Sequence, residues 1–248
     1  MTNSISALIP ARQGSLRVPN KNIRDLNGHP TIAYTIQSAI DSKKFDSIIV
    51  ASNSELVCRI AHHYGATQVI MRTEEDSTST SLDIDWLKNL YSAGKLTTEL
   101  FSILRPTSPL RSVQLINECV DAFLKSNADS LRTIAKVSEH PGKMWRITSG
   151  NIIRPYLNQP EHSPATHAMQ YQSLDELYVQ TSVFEIAKTS VIKDTNSREG
   201  NTVLGHITHG IDSHSIDSET DFDYLKYLVN NNLAFLPVIK KTPMKINE

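Results

Sequence analysis

"SISALIPARQGSLRVPNKNIRDLNGHPTIAYTIQSAIDS", residues 4–42, decides the fold. It opens as a short apolar strand, "SISALIP". It closes as a helix from Thr31 to Ser42, with Ile32, Ile36 and Ile40 four apart on one face. Between the two lies a loop in which Arg12, Arg17 and Lys21 supply three cations, with no acid from Arg12 to Lys21. Gly14 and Ser15 permit a tight turn whose N–H groups can face an anion. A basic loop placed after the first strand of an open α/β sheet sits where such folds hold phosphate. Neither G-x-x-x-x-G-K-[S/T] nor G-x-G-x-x-G occurs, so the standard P-loop and the dinucleotide fingerprint are absent. On charge alone, a solvated basic loop is the competing reading.

The alternation continues along the chain. "DSIIVAS", "TQVIM", "LFSIL", "SLRTIAKV", "ELYVQTSVFEIAKT" and "TVLGHITH" read as strands. "NSELVCRIAHHYGA", ended by Gly65, "LDIDWLKNLYSA", "VQLINECVDAFLKS" and "TDFDYLKYLVNNN" read as helices. In the third of these, Leu115, Cys119, Val120, Phe123 and Leu124 form the inner face. The expected fold is α/β: a doubly wound, mixed, mostly parallel sheet with helices on both faces, Rossmann-like, in one domain over 1–248. From Glu139 to about Tyr171 the rhythm breaks into proline-punctuated polar sequence, read as an arm, a hairpin or a flap. The inserted element is taken as 139–186. Trp86 is expected in the core and Trp145 as an anchor in this arm.

The chain's 25 basic and 26 acidic side chains leave a net charge of -1. That balance argues against a generic nucleic-acid binder and against a polybasic membrane-surface protein. No stretch approaches the roughly 20 apolar residues of a membrane helix. The N-terminus lacks the pattern of a signal peptide. A cytoplasmic protein is the expectation, with Cys58 and Cys119 as buried, reduced thiols.

Three segments carry a resemblance. "IPARQGSLRVPNKNI" (9–23), "LRPTSPLR" (104–111) and "SIDSETDF" (215–222) resemble, in order and spacing, three signatures of the CMP-sialic acid synthetases, the sugar-acid cytidylyltransferases. "VIMRTEED" and "EHPGKMW" are weaker matches. The resemblance implies an enzyme that uses CTP and Mg²⁺ to convert a nine-carbon sugar acid to its CMP conjugate, and a homodimer built through the arm. Arg12 and Lys21 would hold the triphosphate and stabilise the leaving pyrophosphate, with Ala11, Ser15 and the loop amides assisting. Asn22 would lie near the base. Arg17 stands one place past the usual lysine of the motif. Arg72 matches an arginine beside the cytosine; pairing with Glu74 or Glu75 is the competing reading. Thr107, Ser108 and Arg111 match the loop that lines the site, and Arg111 reads equally as a structural tie. Lys143 matches a lysine near the sugar. Asp217 is the expected metal ligand. Asp221 reads as half of an S-x-x-D capping box with Ser218.

The departures concern the acceptor. Ser215 stands where the family often has a second aspartate, Asn53 where an acid is common, and Arg105 where glutamine is usual. Arginines usual around "YQSLDELYVQTS" are missing, with Tyr171 and Val179 in their region. Arg105, Lys143 and Arg154 remain as receptors for a carboxylate, and Arg105 suits one bidentately. His140, His162, His167, His206, His209 and His214 read as ordinary polar residues. Two rivals stay open: the same fold acting on another nucleotide or acceptor such as a sugar phosphate, and a non-catalytic nucleotide-binding relative.

Overall fold

The mostly apolar β1 (Ile5–Pro10) is explained by burial on both faces, its one polar side chain, Ser6, being buried against the hydroxyls of Ser47 and Thr98. The computed structural model of the chain describes residues 3–15, 17–78, 80–157 and 164–244, so His162 lies outside the described residues. After β1 come a two-residue hairpin, β2 (Asp25–Leu26) and β3 (His29–Pro30), then α1 (Thr31–Ser42), β4 (Ser47–Ser52), α2 (Glu55–Tyr64) and β5 (Gln68–Met71). Next are α3 (Asp83–Ser92), β6 (Leu100–Ile103), α4 (Val113–Leu124) and β7 (Ser130–Lys136). A small hairpin, β8 (Trp145–Ile147) with β9 (Ile153–Pro155), precedes β10 (Tyr178–Lys188), α5 (Val191–Asp194), β11 (Val203–Ile207) and α6 (Glu219–Asn230).

The central sheet has the order β11-β7-β10-β6-β1-β4-β5. Every pairing in it is parallel except those of β10, which runs antiparallel to both β6 and β7. The chain steps from β1 to β4 and β5 on one side and then returns to β6 on the other. The switch point is therefore between β1 and its two neighbours, where a crevice opens beyond the strands' carboxyl ends.

Alternation within each strand divides the core. Ala7 and Ile9 of β1, with Ile48 and Val50 of β4, pack beneath α1, α2 and α4. Leu8, Ile49 and Ala51 face the other way, with Trp86, Leu87 and Leu90 of α3 and Val191 and Ile192 of α5. Ser54 caps α2 by accepting from the Val57 N–H, and Gly65 ends it at φ 107, a conformation that suits glycine. Trp86 is buried in the second layer, as expected, and both cysteines are buried and free.

Leu124, read as part of the inner face of its helix, is exposed, and so is Ile40, read on one face with the buried Ile32 and Ile36. Ile40 (40%) and Leu124 (45%) lie in the final turns of their helices, where the neighbouring Ala39 and Phe123 take the core-facing position. Of the stretch 139–186, residues from Tyr178 onward belong to β10 in the central sheet. The β8–β9 hairpin lies within the earlier part. Trp145 is half-exposed against the His167 ring, 4.6 Å between centroids. No helix among the described residues is long and apolar enough to cross a membrane.

Candidate active site

The basic loop after β1 is strapped at both ends. The fully buried Ala11 uses its N–H on the Ala51 carbonyl at 2.9 Å, extending the β1–β4 pairing by one residue. Asn22 Nδ2 donates to the Arg12 carbonyl at 2.9 Å and so closes the loop on itself. Asn53, at the end of β4, accepts from the Gln13 N–H at 2.8 Å, which gives this non-acidic residue a structural task. Gly14 sits at φ 98, and the Ser15 hydroxyl accepts from the Val18 N–H at 3.4 Å. Polar side chains thus fix the backbone while Arg12 and Lys21 remain at the crevice.

A cavity of about 590 Å³ opens there. Arg12, Ser15, Lys21, Asn22, Arg72, Arg105, Thr107 and Asp217 all line it, so most of the residues singled out from three distant motifs converge on one space. Lys21 Nζ donates to the Ile216 carbonyl at 3.4 Å. Burial pushes its pKa down; Asp217 opposes that shift, and Arg17, Arg12 and Arg105 add to it. A half-buried ammonium among arginines is a site short of negative charge. Asp217 is half-exposed, with Arg17 at 3.5 Å. Arg72 makes no ion pair with Glu74 or Glu75 among the described residues. It donates to the Asp76 carbonyl and lies 5.3 Å from the Trp86 ring centroid. Arg12 Nη1 reaches the Ser77 carbonyl at 3.4 Å, so both arginines hold the segment that follows β5.

The second and third motifs are joined directly. Ile216 N–H donates to the Thr107 carbonyl at 2.8 Å, and the Ser215 hydroxyl lies 3.1 Å from Thr107 Oγ1. Ser218 and Asp221 form the expected capping box of α6. Burial tends to raise the Asp221 pKa, but the N–H groups of Asp217 and Ser218 with the Ser218 hydroxyl outweigh it and hold the carboxyl low. Cap and cavity are thus divided between Asp221 and Asp217.

Four of the singled-out site residues, Ala11, Ser108, Arg111 and Lys143, do not line this cavity, Ala11 being fully buried behind it. Arg111 is 1% exposed and donates to the Val183 carbonyl, to the Arg105 carbonyl at 2.9 Å and to Thr35 Oγ1 at 3.5 Å. Of its two readings, its contacts are those of the structural tie. The neighbouring Ser108 is buried with it. Lys143 stays in the arm, donating to the carbonyls of His167 (3.0 Å) and Met169, 5.6 Å from the Tyr171 ring centroid.

One part of the cavity was not foreseen. Arg105 bonds Asp83, and its guanidinium is 3.6 Å from Glu185. Arg198 reaches the same Asp83 oxygen at 2.6 Å and Glu185 at 3.3 Å. Arg132 joins Glu185 at 3.0 Å and Glu199 at 2.6 Å. Glu185 shares its sheet face with Ala187, so the layer that is apolar beneath α3 and α5 turns ionic as β10 leaves them. Burial favours neutral Asp83, but Arg105, Arg198 and the Trp86 indole N–H prevail and hold its carboxyl low. Asn196, Ser197, Arg198 and Glu199 all line the cavity.

A family model described as cytidylyltransferase matches residues 6–197. The chain is 30% identical over 232 residues to a CMP-N,N'-diacetyllegionaminic acid synthase of Legionella pneumophila, covering 92% of this chain and 97% of that one. It is 38% identical over 137 residues to an N-acylneuraminate cytidylyltransferase of Streptococcus agalactiae, covering 54% of this chain and 33% of that longer one. A pseudaminic acid cytidylyltransferase of Campylobacter jejuni is 31% identical over 181 residues, 71% of this chain and 75% of that one. Among solved structures, a CMP:2-keto-3-deoxy-manno-octonic acid synthetase complexed with CTP superposes with a TM-score of 0.66 at 12% identity, over 92% of this chain and 99% of that one, a likeness of fold. On the matched span and the near full-length relative, this chain belongs to the CMP-sialic acid synthetase-like cytidylyltransferases.

Proposed function

We propose that this enzyme transfers CMP from CTP to a nonulosonic, sialic-acid-like sugar acid and releases pyrophosphate. The observation that carries the reading is the meeting of Arg12, Lys21 and Asp217 at one cavity. In the reaction, the acceptor's anomeric hydroxyl attacks the α-phosphorus and loses its proton to solvent water. The bond from that phosphorus to the bridging oxygen breaks, and pyrophosphate leaves with the electron pair. Negative charge grows on the phosphoryl oxygens, so fixed cations in a partly dry site supply most of the stabilisation. Arg12 and Lys21 bind the triphosphate and stabilise the leaving group, with Ser15 and the loop amides beside them. Arg72 and Asn22 border the base. Thr107 holds the acceptor side, and Arg111 with Ser108 supports it from beneath.

Mg²⁺ fits this donor set: it takes few carboxylates and keeps water and phosphate oxygens for the rest. The exposed Asp217 carboxylate would hold it, and the ion would supply charge neutralisation on the phosphates. The partner we read for the arm is a second copy of the chain. The β8–β9 hairpin presents Ile147 (75% exposed), Ile152, Ile153 and Tyr156 as support for that contact, which mass measurement in solution tests. A cytoplasmic location accords with the use of CTP.

Pyrophosphate release from CTP and Mg²⁺ with a panel of nonulosonic acids tests the function. Release with at least one acid, and none with a sugar phosphate, is the expected result. Release with no acid would overturn the reading.

A further inference from the structure

We infer that the loop 195–200 recognises the acceptor and that Arg198, paired with Arg105, seats its carboxylate; this rests on the function proposed above. Each guanidinium bonds the same oxygen of Asp83, so their planes are held close together. Glu185 lies against both. Both arginines line the cavity, and among the described residues nothing accepts from Arg105 Nη1 or Arg198 Nη2. A pair of guanidiniums, oriented on one side by acids and with N–H donors to spare, is a preorganised receptor for a planar carboxylate.

The charge around the cavity favours an anion as well. Arg12, Lys21, Arg72, Arg105 and Arg198 line it against Asp83, Glu199 and Asp217. Two of those three acids already serve arginines of the network.

The loop is built to hold its place. The Asp129 carboxylate accepts from the N–H groups of Asn201 and Thr202, each at 3.1 Å, and Ser130 Oγ donates to the Glu199 carbonyl at 2.6 Å. Gly200 adopts φ 72, where a Cβ would stand 2.5 Å from Asp129 Cβ. Asn196, at φ 51, turns the chain so that Asn196 and Ser197 also reach the cavity, where they can meet acceptor hydroxyls. Clamped backbone lowers the ordering cost of binding.

A cycle in protein and ligand tests this on the full chain, with N-acetylneuraminic acid and its carboxamide as probes. Arg198→Ala should raise the acid's KM about tenfold or more, with the KM for CTP within about twofold. Removing the ligand's charge should weaken binding strongly in the wild type and little in Arg198→Ala. Arg198→Lys should restore only part of the effect, because it lacks the planar fork. The same cycle by calorimetric binding needs no turnover. Absent pyrophosphate release with this coupling intact would overturn the proposed reaction alone. Equal losses from the carboxamide in both proteins, or parallel rises in both KM values, would overturn the role of Arg198.

Discussion

The Lys21 ammonium donates to the carbonyl of Ile216, the residue before Asp217, at 3.4 Å across 195 positions of sequence. The basic loop of the first motif and the acidic segment of the third are thereby one site. Because burial holds the Lys21 pKa below the ordinary lysine value, CTP affinity should depend on pH. Binding a triphosphate raises that pKa again. Affinity is therefore full at pH values below the free enzyme's Lys21 pKa and falls progressively as pH rises from there toward the higher pKa of the complex. Calorimetric titration of CTP between pH 7 and pH 10 should show weakening before an ordinary lysine would titrate, which is near 10.4. The early weakening should vanish in Lys21→Arg.

Arg111 should matter for stability rather than for saturation by substrate. Its guanidinium serves the carbonyls of Val183 and Arg105 in full burial, and Arg111→Met would remove the guanidinium donor from both, leaving the Arg105 carbonyl only its longer bonds from the Ser108 N–H and Thr35 Oγ1. A loss of about 3 kcal/mol is expected. That corresponds to a fall in Tm of about 6–12 °C for a chain of this size. The KM for CTP in the protein that remains folded should change little.

The α6 cap gives a third test. Ser218→Ala and Asp221→Ala each remove half of a reciprocal box. Each should cost about 1 kcal/mol in chemical denaturation. The folded Asp221 pKa is depressed, so the stabilisation is present above the unfolded carboxyl value of about 3.9 and is lost as pH falls through the folded one. The gap between wild type and Asp221→Ala should therefore close in acid.

Gly200→Ala should destabilise by about 1–3 kcal/mol, since the left-handed backbone and the Asp129 contact both oppose a Cβ. Urea titration measures it. A change within about 0.5 kcal/mol would mean the loop is not clamped as described.

Much of this was legible before the structure. The strand–loop–helix rhythm rests on periodicity, which a sequence displays directly, and α1 runs from Thr31 to Ser42 as its isoleucine spacing requires. Arg12, Lys21, Thr107 and Asp217 were marked by motifs in which several residues act locally. Arg198 was not, because nothing near it signals a site. Its partner Asp83 lies 115 positions earlier, and Glu185 is a lone acid in a β-strand. Only the sheet register, which sets Glu185 opposite both Ile103 and Arg132, brings such charges together. Arg111 illustrates the converse. The motif marked the residue, but whether its five donors face a ligand or the backbone depends on packing that the motif does not encode. The two-residue strands β2 and β3 are too short to show a period at all.

The central claim is that Lys21, with Arg12 and beside Asp217, grips the nucleotide's triphosphate. Direct titration of Mg²⁺–CTP into the wild type and Lys21→Ala, with melting curves to confirm that both are folded, tests it. We expect the variant to bind at least about tenfold more weakly and its pyrophosphate release to fall by about a hundredfold or more. Equal affinity and equal turnover in the two proteins would contradict it.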